Sequence, residues 1–283
     1  MKNCIEMKYL LTFSLLVLIT STSLCQEIPQ LNWAELGKTK PWEATEVWNP
    51  VPAKVTPGVY TAPPSDAIVL FNGQDLDQWV SPEVDYGARM DVVEAILKKR
   101  MNGYSKSPAA WEVKDGECIV RPGSGAIETK MGFGDMQLHI EWLCPTDPGK
   151  EGQAYSNSGI FFMSLYELQV LNAYENTTYP NGQAGSMYKQ AIPLVNASRP
   201  SGEWQSYDAV FMAPKFKSDG SIESPAYITV FHNGVLIQNH VALKGPCVYI
   251  GEPYYIAHPD KMPLLLQDHG DKVRYRNIWV RNL

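Results

Sequence analysis

Between Tyr166 and Gln190 the sequence reads YELQVLNAYENTTYPNGQAGSMYKQ, which gathers a carboxylate, several amides, a cation and a series of tyrosines into one stretch. Such a surface suits a sugar, because carboxylates and amides exchange hydrogen bonds with hydroxyls and flat rings cover C–H faces. Glu167 and Gln169 are two apart in a strand-like run, so they leave the same face of a sheet, while Leu168 and Val170 point into the opposite layer. The same alternation is also what any half-solvated antiparallel strand displays. A second carboxylate, Glu141, stands in LHIEW on one face with His139. Two carboxylates on facing or neighbouring strands can act as acid and base at a glycosidic bond, their separation deciding retention or inversion. The plainer reading of Glu141 is an exposed strand residue or half of a cross-strand ion pair.

The C-terminal run LLLQDHGDKVRYRNIWV, Leu264 to Val280, supplies further candidates. Gln267 and His269 share parity, and the turn His269-Gly270-Asp271 leads into a strand with Arg274 and Arg276 on one face. Imidazole moves protons near neutral pH, and a guanidinium offers a planar pair of donors to a sugar oxygen. Alternatively, Asp268 and Arg276 form a structural ion pair and His269 caps a turn. Tyr155, Tyr166, Tyr174, Tyr179, Tyr188, Trp204 and Tyr207 serve equally as stacking platforms or as core. The long polar loop from Asn172 to Gly185 favours binding, because long ordered loops are more often functional than merely connecting. His232, just before Asn233-Gly234, reads as a hairpin residue.

These residues need a scaffold of short strands. Ile68 to Phe71, Trp111 to Val113 and Cys118 to Val120 are punctuated by Asn-Gly or Asp-Gly. Further strands are expected at 137–143, 159–164, 167–171, 206–211, 226–232, 235–239, 264–267 and 274–280. The segment DVVEAILKKRM, Asp91 to Met101, has apolar residues at helical spacing and a basic triplet near its end, which predicts one peripheral helix. Many short strands with turns between them predict an all-β sandwich or jelly roll of about 220 residues, with no internal repeat.

Ahead of it, residues 1–25 have the layout of a secretory signal peptide, with Lys2 and Lys8, an apolar run from Tyr9 to Thr20, and small polar residues up to Cys25. The apolar run is short for a stable membrane span. A soluble exported protein, periplasmic or secreted, is expected. Residues 26–65 carry seven prolines, from Pro29 to Pro64, which predict an extended segment, and Trp33, Trp42 and Trp48 would pin it by aromatic contacts. Of the 24 basic and 30 acidic side chains, the leader removes Lys2, Lys8 and Glu6, leaving an acidic chain with nothing to attract nucleic acid. Cys118, Cys144 and Cys247 remain, an odd number without a CxxC pair, so a disulfide framework is not expected. A divalent cation held by Glu167, His269 and neighbouring amides is possible, but no ligand spacing demands one. Oligomeric state leaves no signal.

Several long motifs, in order, complete the picture: NSGIFF from Asn157, the Tyr166–Gln190 stretch, LVNASRPSGEWQSYD from Leu194, TVFHNGVLIQNH, and PLLLQDHGDKVRYRNIWVRNL at the C-terminus. Over residues 66–283 the chain resembles the 3-keto-disaccharide hydrolase family, long carried as a domain of unknown function. The resemblance implies a concanavalin-like antiparallel jelly roll acting on glycosides whose sugar is oxidised to a ketone at C3. The family's polar positions fall on Asn157, Glu167, Gln169, Tyr188, Gln267, His269 and Arg276, with Glu167 or His269 as the base and Gln169, Gln267 and Arg276 on sugar oxygens. The chain departs from the pattern at Asn172, where relatives have Asp, and at Lys189, which can offer a charge to an oxyanion. Two other readings stay open: a lectin-like module that binds without cleaving, and a conventional glycosidase using Glu141 and Glu167.

Overall fold

The computed structural model describes residues 42, 45–84 and 89–283. The expected leader lies outside the described residues, as do Trp33 and much of the proline-rich segment. Trp42 and Trp48 are 63% and 76% exposed. Residues Lys54–Leu283 form one compact unit.

Sixteen strands build it among the described residues: β1 Ile68–Phe71, β2 Trp79–Pro82, β3 Lys106–Pro108, β4 Glu112–Lys114, β5 Glu117–Ile119, β6 Ile127–Phe133, β7 Met136–Leu143, β8 Ser158–Phe162, β9 Tyr166–Val170, β10 Gln205–Met212, β11 Lys215–Phe216, β12 Ile222–Ser224, β13 Tyr227–His232, β14 Val235–Ala242, β15 Met262–Leu266 and β16 Arg274–Asn282. The larger sheet runs β14-β13-β10-β7-β16-β5-β4, with β1 also on β16; the smaller runs β3-β2-β6-β15-β8-β9; β11 and β12 form a separate ribbon. All pairings are antiparallel. The fold is therefore the expected all-β antiparallel sandwich, with one α-helix among the described residues, α1 Met90–Met101.

Alternation makes the core. Leu138, Ile140 and Trp142 of β7 and Tyr207, Ala209 and Phe211 of β10 meet Ile160 and Phe162 of β8 and Leu168 and Val170 of β9. Phe162 and Phe211 stack across the layers with centroids 4.9 Å apart. Two tyrosines of the larger sheet reach polar groups of the smaller one. Tyr207 donates to the Gln169 carbonyl at 2.9 Å. Tyr275 donates to Ser158 Oγ at 2.7 Å, and Ser158 in turn donates to the Gln267 carbonyl at 2.6 Å. The backbones of Gln169 and Gln267 are thereby fixed from inside the core.

On its other face the smaller sheet carries a cross-strand row, Val80–Glu128–Leu265–Phe161–Glu167, one residue per strand. Arg100, in the last turn of α1, closes over one end of the row and pairs with Glu128 at 2.7 Å, joined by Tyr104 and by Lys106 at 3.2 Å. Glu128 is fully buried there. Val93 and Leu97 bury the apolar side of α1, as its periodicity requires.

Because Arg100 and Glu128 are both desolvated, truncating one strands the other. Arg100→Ala should cost about 3–5 kcal/mol in denaturant unfolding. A combined Arg100→Met, Glu128→Gln variant should recover most of that, and equal losses in both variants would refute a charge origin.

Candidate functional site

The half of this face left open by α1 forms a cavity of about 420 Å³ lined by Gln153, Asn157, Phe161, Glu167, Gln169, Tyr179, Tyr188, Cys247, Tyr249, Gln267 and His269. The sheet supplies its floor. Phe161 and Glu167 are cross-strand partners, as are Gly159 and Gln169. Gly159 is what lets the Glu167 carboxylate lie over the sheet, since a Cβ at that position would come within 2.5 Å of Glu167 Oε1.

Amides make one wall. Gln169 Nε2 donates to Asn157 Oδ1 at 3.1 Å, and Asn157 Nδ2 donates to the Gln153 carbonyl at 2.9 Å. The Asn157 N–H is held at 2.9 Å by Asp271, itself paired with Lys150 at 2.6 Å. The Oε1 atoms of Gln169 and Gln267 are buried and accept no hydrogen bond among the described residues. A buried acceptor without a donor is costly, so two beside one cavity mark places where ligand hydroxyls would restore the bonds.

Tyrosines make the opposite wall. The loop after β9 returns along that strand's edge, with Tyr188 N–H bonded to the Glu167 carbonyl and Gly185 N–H to that of Gln169. Tyr179 and Tyr188 share a hydroxyl–hydroxyl bond of 2.6 Å. Gly182 makes room for the Tyr179 ring, which a Cβ there would enter at 2.0 Å. His269 stands exposed at the mouth.

Glu167 is the one carboxylate in this lining. Burial pushes its pKa from the ordinary 4.5 up to about 7, only partly opposed by the Cys247 thiol, which donates to Oε2 at 2.9 Å. The carboxyl group is thus poised to exchange a proton near neutral pH. Among the described residues no group of three or more His, Cys, Asp or Glu side chains is arranged to hold a metal ion.

Of the expected site residues, Asn157, Glu167, Gln169, Tyr188, Gln267 and His269 come together here. Glu141 and Arg276 do not. They lie on the outward face of the larger sheet, paired at 2.6 Å, because parity along a strand fixes a face but not which sheet the strand joins. Glu141 also accepts from Thr61 Oγ1 and Asn277 Nδ2, and Arg276 stacks on Trp204 at 4.0 Å. Although burial opposes ionisation, His139 Nε2 at 3.6 Å and hydrogen bonds from Asn277 and Arg276 hold the Glu141 carboxyl well below the usual range. Burial likewise opposes charge on His139, but Asp208 and Glu141 outweigh it and raise its pKa to about 9.

Lys189 does not line the cavity either. Its ammonium bonds the Tyr249 carbonyl at 2.8 Å and packs over the rings of Tyr249, Tyr179 and Tyr188. Asn172 is buried and also lies away from the cavity. Asp268 bonds the N–H groups of Gly125 and Gly270 rather than Arg276. His232 is a core residue against Trp142 and Tyr207. Among the described residues, Cys118, Cys144 and Cys247 are free and buried. Tyr179, one of the candidate stacking rings and a residue of the long polar loop, lines the cavity, whereas Gln153, Phe161, Cys247 and Tyr249 were not among the expected site residues.

Orphaned amide acceptors, tyrosine walls and one poised carboxyl define a carbohydrate-active, glycosyl hydrolase-like β sandwich. Residues 66–281 match the model of the 3-keto-alpha-glucoside-1,2-lyase-like domain, and the chain belongs to that family. Among solved structures it is similar to a protein of Parabacteroides distasonis ATCC 8503 described as a "putative glycosyl hydrolase", with 43% identity over 85% of this chain and 96% of that one and a TM-score of 0.73. A second protein from that organism, described in the same words, shares 18% identity over 77% and 94% of the two chains, with a TM-score of 0.49. No curated protein matches the chain.

A buried acid with a raised pKa folds most favourably while protonated. Its burden on stability is absent below about pH 4, grows as pH rises from 4.5 to 7, and is complete above that range. Glu167→Gln should therefore stabilise the protein at pH 8 by up to about 3 kcal/mol and change little at pH 4. Urea unfolding at the two pH values checks this, and an equal effect at both would contradict the assigned burial cost.

Proposed function

We propose that this protein cleaves glycosides of 3-keto sugars by elimination and hydration. The observation that carries the reading is the single, uncompensated carboxyl group in the cavity. A conventional glycosidase needs two carboxyl groups about 5–9.5 Å apart across the bond. Here Glu141 lies beyond a sandwich core about 10 Å thick, and Glu128 lies three strands along the sheet, about 14 Å away. One base near neutral pH suits a substrate that is already a carbon acid.

A C3 ketone acidifies the C2 proton. Glu167 removes that proton, and the C2–H electron pair becomes the enolate, whose charge rests on the C3 oxygen. Gln267, whose Oε1 accepts no hydrogen bond among the described residues, and Gln169 offer amides to the sugar oxygens. Collapse of the enolate forms the C1–C2 double bond and breaks the bond from C1 to the glycosidic oxygen. That oxygen takes a proton at the mouth, where the exposed His269 can exchange with solvent. Water then adds at C1 and a proton returns to C2, completing net hydrolysis; release before water addition would make the enzyme a lyase. Tyr179, Tyr188 and Tyr249 give the leaving group a flat wall.

We also propose export, supported by the leader-like pattern of residues 1–25, and intact-mass analysis of the native protein would reveal cleavage after Cys25. No helix among the described residues is long and apolar enough to cross a membrane.

Product analysis by mass spectrometry, with a 3-keto-disaccharide and its unoxidised parent, each with and without chelator, tests the reaction. Cleavage of the keto sugar alone is expected, and Glu167→Gln should lower turnover at least a hundredfold. Gly159→Ala, which displaces the carboxylate without removing it, should lower turnover at least tenfold. Sugar binding without product would replace this reading by a lectin-like one, and cleavage of the unoxidised parent would return the conventional glycosidase.

A further inference from the structure

The cavity contains a group that the proposed reaction does not use directly. Cys247 lies in the segment from Lys244 to Ile250, which reaches back over β9. Its N–H donates to the Leu165 carbonyl at 2.6 Å. Gln190 Nε2 donates to the Gly245 carbonyl at 2.9 Å on one side, and Lys189 Nζ to the Tyr249 carbonyl at 2.8 Å on the other. The thiol is therefore placed by a braced backbone, and it meets Glu167 Oε2 at 2.9 Å. Glu167 Oε1, above the bare Cα of Gly159, accepts no hydrogen bond among the described residues and is open to the cavity.

We propose that Cys247 is a positioning residue for Glu167, its thiol holding Oε2 so that Oε1 is the oxygen that takes the substrate proton. This rests on the function proposed above and adds to it a division of labour between the two oxygens. A fixed donor on Oε2 sets the carboxylate's rotation, which a base attacking one C–H bond requires. The same bond favours the ionised form. Burial, and then the charge of Glu167, push the Cys247 thiol well above its ordinary pKa, so it stays a donor rather than a thiolate nucleophile. Other groups facing the pair are Tyr179 and Tyr188 with Lys189 beyond them, Tyr275 from the core side, and His269 at the mouth. None of these donates a hydrogen bond to Glu167.

The test compares wild type, Cys247→Ala and Cys247→Ser. Titration of the Glu167 carboxyl by ¹³C NMR, with labelled glutamate and Glu167→Gln to assign the signal, needs no substrate. Cys247→Ala should move the titration to higher pH, and Cys247→Ser, which keeps a donor, should leave it at or below the wild-type position. In turnover of the keto-disaccharide, the acid limb should follow the titration. Cys247→Ala should lose about tenfold in kcat at pH 6 and progressively less toward pH 9, with KM little changed. An unmoved or lowered titration in Cys247→Ala would overturn the proposal, whatever the enzyme acts on. A cysteine that only fills space would lower stability in both variants without moving the carboxyl. Absence of wild-type turnover would count against the reaction, while the NMR titration would still decide the role of Cys247.

Discussion

Everything at the cavity depends on one electrostatic constraint, a carboxyl group buried on a sheet face without a cation. The described cations on this face, and Arg276 on the far side of the core, are committed elsewhere. Arg100 and Lys106 go to Glu128, Arg276 to Glu141, Lys150 to Asp147 and Asp271, and Lys189 to the Tyr249 carbonyl and a set of rings. An ion pair would depress the Glu167 pKa and leave a weak base. A wholly apolar surround would raise it so far that the base stayed protonated. A lone thiol donor lies between these limits. The cost is borne by a large core, in which both sheets contribute fully buried aromatic and aliphatic side chains.

Glu128 and Glu167 make the point within one sheet. They occupy the same cross-strand row on the same face, and both are buried. Glu128 is capped by α1 and the strand after it, which deliver two cations and a tyrosine hydroxyl, and its end of the face is closed. Glu167 is capped by loops that deliver a thiol and ring edges, and its end stays hollow. Whether a carboxylate on this face becomes a structural anchor or a reactive group is decided by what lies above it, not by the strand that carries it.

This explains what could be read in the sequence. Alternation placed Glu167 and Gln169 opposite Leu168 and Val170, and the helix at 91–101 appears one residue longer. Period-two patterns and turn dipeptides are local signals, so most strands were legible. Ile127–Phe133, a central strand of the smaller sheet, was not, because Thr129, Lys130 and Gly132 interrupt its apolar run. Trp79–Pro82 carries a proline and pairs along a short stretch. Cys247 and Tyr249 enter the cavity from loops and Gln153 from the single 3₁₀ turn Gly152–Ala154, where no period exists to report their direction. Gly159 acquires meaning only once Glu167 is seen across from it, which is a property of register and not of either strand.

Glu141 and Glu167 also show why geometry precedes electrostatics in assigning roles. The two carboxyl groups are driven in opposite directions, one ionised at any ordinary pH and the other titrating near neutrality. Such divergence is the pattern expected of a catalytic acid and base. Yet the sandwich core separates them, and no single bond can reach both. The cluster around Glu141 has another use. Its carboxylate and Asn277, with Trp279 beside them, meet the hydroxyl and carbonyl of Thr61, so the chain preceding β1 is held against the larger sheet. A carboxylate saturated with donors suits that task, because it stays charged and immobile. It would be a poor base for the same reason, having no oxygen left with which to accept a substrate proton.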